Sequence, residues 1–149
     1  MTTIRITKSF TFEMAHALWN YDGPCRNIHG HSYKLWVTVQ GQPITDPQHS
    51  KFGMVMDFGE LKTMVREWII KRFDHSVVIS ENAPHKMLET VEQMFDKYEV
   101  TSYQPTCENL ITEFANILIS KLPASIKLYS LKLQETETSY AEWYGTDQS

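Results

Sequence analysis

The sequence predicts an α+β fold in which an antiparallel four-stranded sheet carries helices packed on one of its faces. Residues 4–17 and 31–40 alternate apolar and polar side chains, as strands with one buried face do. Two helical patterns follow in the middle of the chain, and alternation returns over about 126–135 and 138–144. Strands followed by helices and then by strands favour an antiparallel sheet covered on one side.

The segments between the outer strands contain start signals for helices. A long loop, Trp19 to Asn27, joins the first two strands and contains the turn-forming pair Gly23-Pro24. Asp57 is expected to cap a helix that ends near Phe73 and has one apolar stripe. A weaker helical pattern covers 86–97.

Capping residues also predict where the second strong helix begins. A short extended stretch is expected over Val100 to Tyr103, and Thr106 then provides a cap with Glu108 in the first turn. Pro123 is expected to stop this helix. Because an open sheet has unpaired edges, we expect the chain to form a closed homo-oligomer.

Composition limits the classes of function. The 149 residues, 42% of them hydrophobic, fit one domain over 1–149. A net charge of −4 without any Lys/Arg run argues against nucleic-acid or membrane-surface partners and favours a small molecule. No apolar stretch approaches the roughly 20 residues of a membrane span, and no secretion signal is evident, so a cytoplasmic location is expected.

Three histidines on the first two predicted strands point to a catalytic metal site. Side chains two apart share a strand face, so His29 and His31 lie together, and His16 ends the apolar face of the preceding strand. Three imidazoles suit Zn²⁺ with an open fourth position. Cys25 is either a fourth ligand or a thiol beside a bound substrate, and we favour the thiol. The alternative is that the histidines are accidental or satisfied in the core.

Further acidic and basic groups are candidates for the same site. Asp74 next to His75 suits proton transfer, although such a pair more often marks a polar loop. Glu108 and Glu135 could each accept two N–H bonds from an amidine-like edge of a ligand. Alternatively, Glu108 only complements the helix dipole and Glu135 faces solvent.

Five motifs follow one another along the chain: Phe12-x3-His16, Cys25-x3-His29-Gly30-His31, Asp74-His75, Pro105-Thr106-Cys107-Glu108-Asn109 and Glu135-Thr136. Together they resemble the 6-pyruvoyl-tetrahydropterin synthase and 6-carboxytetrahydropterin synthase family. The resemblance spans nearly the whole chain, and the three residues between the cysteine and His-Gly-His are similar to the bacterial carboxytetrahydropterin synthases of queuosine and deazapurine biosynthesis.

The resemblance implies a tunnelling fold (T-fold), in which the sheets of several subunits join into a barrel. It also implies a hexamer built from two trimers, with active sites between subunits. The implied reaction converts 7,8-dihydroneopterin triphosphate to 6-carboxy-5,6,7,8-tetrahydropterin with release of triphosphate and acetaldehyde. Zn²⁺ held by His16, His29 and His31 would act as a Lewis acid.

The resemblance also implies roles for the remaining residues. The Cys25 thiolate would take or return substrate protons, with Asp74 orienting His75 as its proton partner. Glu108 and Glu135 would hold the 2-amino and ring N–H edge of the pterin. Thr106 and Cys107 would line the same pocket.

Two features depart from the family pattern. Residues 80–103 look longer than in compact bacterial members, and Met14-Ala15 precedes His16 where small residues are usual. The motifs do not identify the residues that bind the triphosphate, for which Arg26 and Lys34 are candidates. Rival functions are 6-pyruvoyl-tetrahydropterin formation, a non-catalytic pterin- or metal-binding module, and a structural interaction protein.

Overall fold

The strands form one curled mixed sheet of six members. The computed structural model describes residues 1–149, and its strand boundaries follow the alternation in the sequence closely. The strands are β1 (Ile4–His16), β2 (His29–Gly41), β3 (Ser76–Ser80), β4 (Tyr98–Thr101), β5 (Lys127–Thr136) and β6 (Ser139–Tyr144). Their order across the sheet is β4-β3-β1-β2-β5-β6.

The prediction of a purely antiparallel sheet with four strands is wrong in strand number and direction. The pairs β1–β2, β2–β5 and β5–β6 are antiparallel, but β3 pairs parallel with β1 and β4 pairs parallel with β3. All five residues of β3 are buried. A strand covered on both faces has no polar alternation, which is why the sequence pattern did not indicate it.

The helices begin where the capping residues indicate. The Asp57 carboxylate accepts a hydrogen bond from the Gly59 amide, and the Thr106 hydroxyl accepts one from the Asn109 amide. The first long helix has a π-helical turn in its middle and ends at Phe73, as predicted. The helical segments are α1 (Phe58–Val65), the π turn (Arg66–Ile70), α2 (Lys71–Phe73), α3 (His85–Met94) and α4 (Cys107–Lys121).

The main core lies between one face of the sheet and α1, α2 and α4. Odd residues of β2 and even residues of β1 line this face, as the alternation predicted. A smaller cluster of Val77, Ile79, Ala83 and Val91 joins β3 to α3. Val78 belongs to the main core, so β3 is covered on both sides.

No helix in the structure combines the length and apolar character that crossing a membrane requires. The helices bury their apolar residues against the sheet instead, as Leu61, Ile69 and Phe114 do.

Candidate metal centre and active site

The three predicted histidines converge at one end of the core-facing side of the sheet. His16 and His29 are directly opposite each other across β1 and β2, and His31 is opposite Met14. One ring nitrogen from each of the three lies within 4.8 Å of the other two. His16 is 1% exposed, which fixes its ring inside the core. The strand register therefore forms a group that can hold a metal ion.

Backbone carbonyl groups orient two of the rings. The Nδ1 of His16 lies 2.7 Å from the Pro105 carbonyl oxygen, and the Nδ1 of His29 lies 2.7 Å from the Asn27 carbonyl oxygen. A carbonyl only accepts hydrogen bonds, so both Nδ1 atoms carry the proton and donate it. The two Nε2 atoms are then unprotonated and lie 3.0 Å apart, so their lone pairs point toward each other. Such an arrangement is stable with a cation between the lone pairs.

His31 completes the donor set. Its Nε2 is buried without any hydrogen-bond partner. A buried nitrogen without a partner costs about 1–3 kcal/mol, and a bound cation would remove this cost. The residues present therefore fit a metal that prefers imidazole ligands.

Burial favours the neutral form of His16 and His31, the form in which an imidazole binds a metal. Burial lowers the pKa of His16 to about 4, with smaller contributions from His29 and His31, against the opposing effect of the Pro105 carbonyl. Burial also lowers the pKa of His31, although Glu135 opposes this shift.

The end of β5 and the start of α4 add an acidic, partly enclosed wall beside the histidines. The Glu135 Oε1 lies 3.6 Å from the His31 Nε2. The Cys107 thiol donates to the Leu133 carbonyl oxygen at 3.3 Å. Burial and the charges of Glu135 and Glu108 raise the pKa of Cys107 to about 12, so it stays a neutral thiol. Thr106 is half-buried at the helix cap, whereas Glu108 is exposed.

Cys25 lies in a short 3-10 turn, Pro24–Arg26, and is half-buried. Its carbonyl accepts a hydrogen bond from the Leu18 amide at 2.9 Å, which ties the loop to the end of β1. Burial raises the pKa of the Tyr33 phenol, and Glu135, Cys107 and Cys25 raise it further. The structure thus brings the Cys25 thiol and the acidic wall to the surroundings of one buried phenol.

Asp74 and His75 are in contact with each other but lie on the other side of the sheet. The Asp74 Oδ1 is 3.0 Å from the His75 Nδ1. His75 lines a cavity of about 370 Å³ together with Glu13 and Ser32, whose side chains hydrogen-bond to each other on the face opposite the odd histidines of β2. Within one chain, the Asp74–His75 pair and the three imidazoles of the cluster are therefore on opposite faces.

A cavity of about 640 Å³ lies at some distance from these groups. It is lined by residues at the opposite end of β2, including Gly41, Lys51 and Asp57, and by none of the predicted site residues. Its volume therefore does not mark the chemistry that the histidines indicate.

Two groups near the histidines were not identified from sequence. The Pro105 carbonyl that orients His16 is 89 residues away along the chain. The Tyr33 hydroxyl is buried without a partner, although its position in the alternation suggested only an apolar side chain. The sequence offered one signal for the Tyr33 hydroxyl, because a tyrosine at a strand position predicted to be buried must place a polar group in the core.

Comparison with known proteins matches this architecture to a family. Residues 5–146 match the family described as 6-pyruvoyl tetrahydropterin synthase. The chain belongs to this family. The resemblance seen in the sequence motifs is thereby confirmed over nearly the whole length.

Relatives in the 6-pyruvoyl tetrahydropterin synthase family also match over most of the chain. The 6-carboxy-5,6,7,8-tetrahydropterin synthase of Haemophilus influenzae is 33% identical over 141 residues, which cover 93% of this chain and 97% of the relative. The protein of the same name from Rickettsia conorii is 30% identical, with coverage of 93% and 99%.

Solved structures share the fold. An uncharacterized protein from Wolinella succinogenes superposes with a TM-score of 0.76 at 22% identity, covering 97% of this chain and 99% of its own. The 6-pyruvoyl tetrahydropterin synthase of Caenorhabditis elegans superposes with a TM-score of 0.68 at 24% identity, covering 97% of each chain. The T-fold prediction is confirmed, with six strands in the sheet of this chain.

Proposed function

We propose that the chain is a zinc-dependent lyase that makes 6-carboxy-5,6,7,8-tetrahydropterin from 7,8-dihydroneopterin triphosphate, releasing triphosphate and acetaldehyde, in queuosine and deazapurine biosynthesis. The observation that carries the proposal is the convergence of His16, His29 and His31 in a chain whose relatives are named 6-carboxy-5,6,7,8-tetrahydropterin synthase over almost their whole length.

The histidines provide the metal-binding part of this proposal. His16, His29 and His31 would hold Zn²⁺ through the nitrogens that the structure leaves without a carbonyl partner. Bound there, Zn²⁺ supplies Lewis acidity that makes substrate C–H groups next to an oxygen easier to deprotonate. The Pro105 and Asn27 carbonyls keep two of the rings in the required tautomer.

Glu135 and the start of α4 would bind the pterin. A carboxylate accepts two N–H bonds side by side, which matches the 2-amino and ring N–H edge of a pterin. Glu135 is only partly exposed, with 24% of its side-chain surface accessible, so ligands without such donors would leave it unpaired. Thr106 and Cys107 would line this pocket, and Glu108 would add an acceptor at its rim.

Proton transfer would involve Cys25 with Asp74 and His75. Since the dyad is on the opposite face from the imidazoles of its own chain, it would serve a metal site in a neighbouring subunit. Asp74 accepts from the His75 Nδ1, which leaves the exposed Nε2 free to exchange a proton with the Cys25 thiol across the interface.

Unpaired strand edges support assembly of this kind. β3 pairs only with residues Met14 to His16 of β1, which leaves the edge of β1 over 4–13 without a partner in the chain. β6 is the other long edge of the sheet. Pairing of such edges between copies would close the sheets into a barrel, in trimers that associate as a hexamer.

Formation of 6-pyruvoyl-tetrahydropterin is the second candidate function, because the matching family and the Caenorhabditis elegans structure have that name. It needs the same metal site and proton transfers but keeps the three-carbon side chain. The mass of the product therefore separates the two reactions.

The test is mass spectrometry of the products formed from 7,8-dihydroneopterin triphosphate by the zinc-loaded protein. We expect 6-carboxytetrahydropterin together with acetaldehyde. A product that keeps the three-carbon side chain would replace the first function by the second. An absence of any turnover, with pterin and zinc still bound, would favour a binding module.

A variant of the proposed base sharpens the test. Cys25→Ala should bind zinc and pterin as the unchanged protein does but lose turnover. Tyr21→Phe is the matched control, because Tyr21 is exposed in the same loop. Unchanged turnover in Cys25→Ala would remove Cys25 from the mechanism while leaving the reaction itself intact.

A further inference from the structure

The backbone at His75 adopts a conformation that must be held in place. Its φ is +60°, in the left-handed region that residues other than glycine rarely occupy. The His75 side chain is 76% exposed, so packing of the ring does not fix it. The ring contacts the Asp74 carboxylate at 3.0 Å, so the hydrogen bonds that hold Asp74 and the backbone of His75 determine where the imidazole lies.

β1 holds one side of this turn. The Glu13 amide donates to the Asp74 Oδ1 at 2.9 Å, and the His75 amide donates to the Glu13 carbonyl oxygen at 2.6 Å. Both contacts use the Glu13 backbone, so they do not depend on the Glu13 side chain.

A lysine from the α3–β4 segment holds the other side. The Lys97 Nζ donates to the Lys71 carbonyl oxygen at 2.7 Å and to the Asp74 carbonyl oxygen at 2.5 Å. These carbonyls belong to the last turn of α2 and to the residue after it, where a positive charge is favoured. The Lys97 carbonyl oxygen also accepts from the Val77 amide at 3.2 Å, which anchors the lysine backbone to β3.

We propose that Lys97 is a positioning residue for the Asp74–His75 dyad. This inference rests on the proposed function, in which the dyad transfers protons. It also gives the segment 80–103, which looks longer than in compact bacterial members, a role in the reaction. The peptide between Asp74 and His75 is held on its amide side by β1. The segment between α3 and β4 places the Lys97 ammonium group at the carbonyl oxygen of the same peptide.

Loss of the Lys97 side chain is expected to impair the positioning of His75 and not the global stability of the protein. Lys97 is exposed, so water can replace it at both carbonyls and the fold should persist without it. The turn would then have only the contacts to Glu13 and the helix end, and His75 would sample more orientations. Misplacement of a proton-transfer group lowers the rate of chemistry while leaving substrate affinity unchanged.

The test is Lys97→Met in the full-length zinc-loaded protein. We expect kcat to fall roughly tenfold with KM, zinc content and Tm unchanged. We also expect the His75 amide to exchange its hydrogen about tenfold faster, because the turn opens more often. Lys97→Arg should recover most of both losses, since a guanidinium can donate to the same two carbonyls.

Lys71→Met is the matched control for the loss of one positive charge. The Lys71 side chain binds Glu67 on the exposed face of the helix, 3.0 Å away, and does not contact the dyad. It should leave kcat and exchange at His75 unchanged. Unchanged kcat and exchange in Lys97→Met would overturn the inference, and so would an equal loss in Lys71→Met.

The exchange measurement separates this inference from the proposed function. If the unchanged protein does not turn over dihydroneopterin triphosphate, the proposed function fails. Faster exchange in Lys97→Met would then still establish the contact as the support of the turn, while the role in proton transfer would be overturned.

Discussion

The histidine cluster at the end of the β1–β2 hairpin and the Asp74–His75 turn lie on opposite faces of one sheet and are held in different ways. In the cluster, the side chains themselves are fixed, by burial and by bonds from His16 and His29 to carbonyls. In the turn, the backbone is fixed and the imidazole of His75 is exposed. A rigid buried donor set suits a metal, whereas an exposed ring on a fixed backbone suits a partner that comes from outside.

Removing a cluster ligand should have the largest effect. His16→Ala leaves two imidazoles and a buried gap, so metal affinity should fall by more than the roughly 10–100-fold that loss of an outer partner costs. Turnover should fall below detection. Metal content after dialysis against zinc measures the first effect, and His49→Ala, at an exposed histidine distant in sequence, is the control. Full zinc occupancy in His16→Ala would contradict the assignment of the cluster.

Mixing two inactive variants tests whether the two faces work together across subunits. His16→Ala and His75→Ala should each be inactive alone. When both are expressed together and co-purified with two tags, about a quarter of the sites should combine an intact cluster with an intact dyad, and activity should return to that level. Activity that stays absent in mixed oligomers would mean that each chain completes its own site.

Acid should act on the buried cluster. Burial lowers the pKa of His16 from 6.5 to about 4, so the unfolded chain binds this proton more readily than the folded chain. The contribution of His16 to stability is therefore complete above pH 6.5 and is lost as the pH falls through about 4. Urea unfolding of the metal-free protein should show a loss of about 2 kcal/mol between pH 7 and pH 5. In His16→Asn, the free energy of unfolding should depend less steeply on pH. An equally steep dependence would show that His16 is not the group responsible.

The smallest effect is expected where the cluster side of the sheet meets the pterin. Glu135→Gln keeps the shape but replaces one acceptor oxygen by a donor, so the dissociation constant for a pterin should rise roughly tenfold. Fluorescence titration with a pterin measures it. Glu108→Gln should change affinity less, because Glu108 is exposed. The reverse order would exchange the roles of the two glutamates.

The sequence predicted the strands that have one covered face, the long helices and the histidine cluster, because each depends on local spacing. Parity along β1 and β2 was sufficient to bring His16, His29 and His31 together. β3 escaped prediction because it is buried on both sides. Its parallel position beside β1 could not be read from alternation, and this position places Asp74 and His75 on the opposite face.

Long-range contacts were also outside the reach of sequence patterns. The bonds from His16 to Pro105 and from Lys97 to Asp74 join residues 89 and 23 apart in the chain. In both bonds the acceptor is a backbone carbonyl. Every residue has one, so the acceptor cannot be recognised from the residue type. Only the tertiary packing decides which carbonyl is available.

The Pro105 carbonyl has a consequence for how the protein responds to its ligands. The peptide that orients His16 leads directly into Thr106 and the first turn of α4, so displacement of this loop alters the metal site and the wall beside it together. Two ligands whose sites share one movable support influence each other reciprocally. Metal occupancy should therefore strengthen pterin binding, and bound pterin should strengthen metal binding by the same factor.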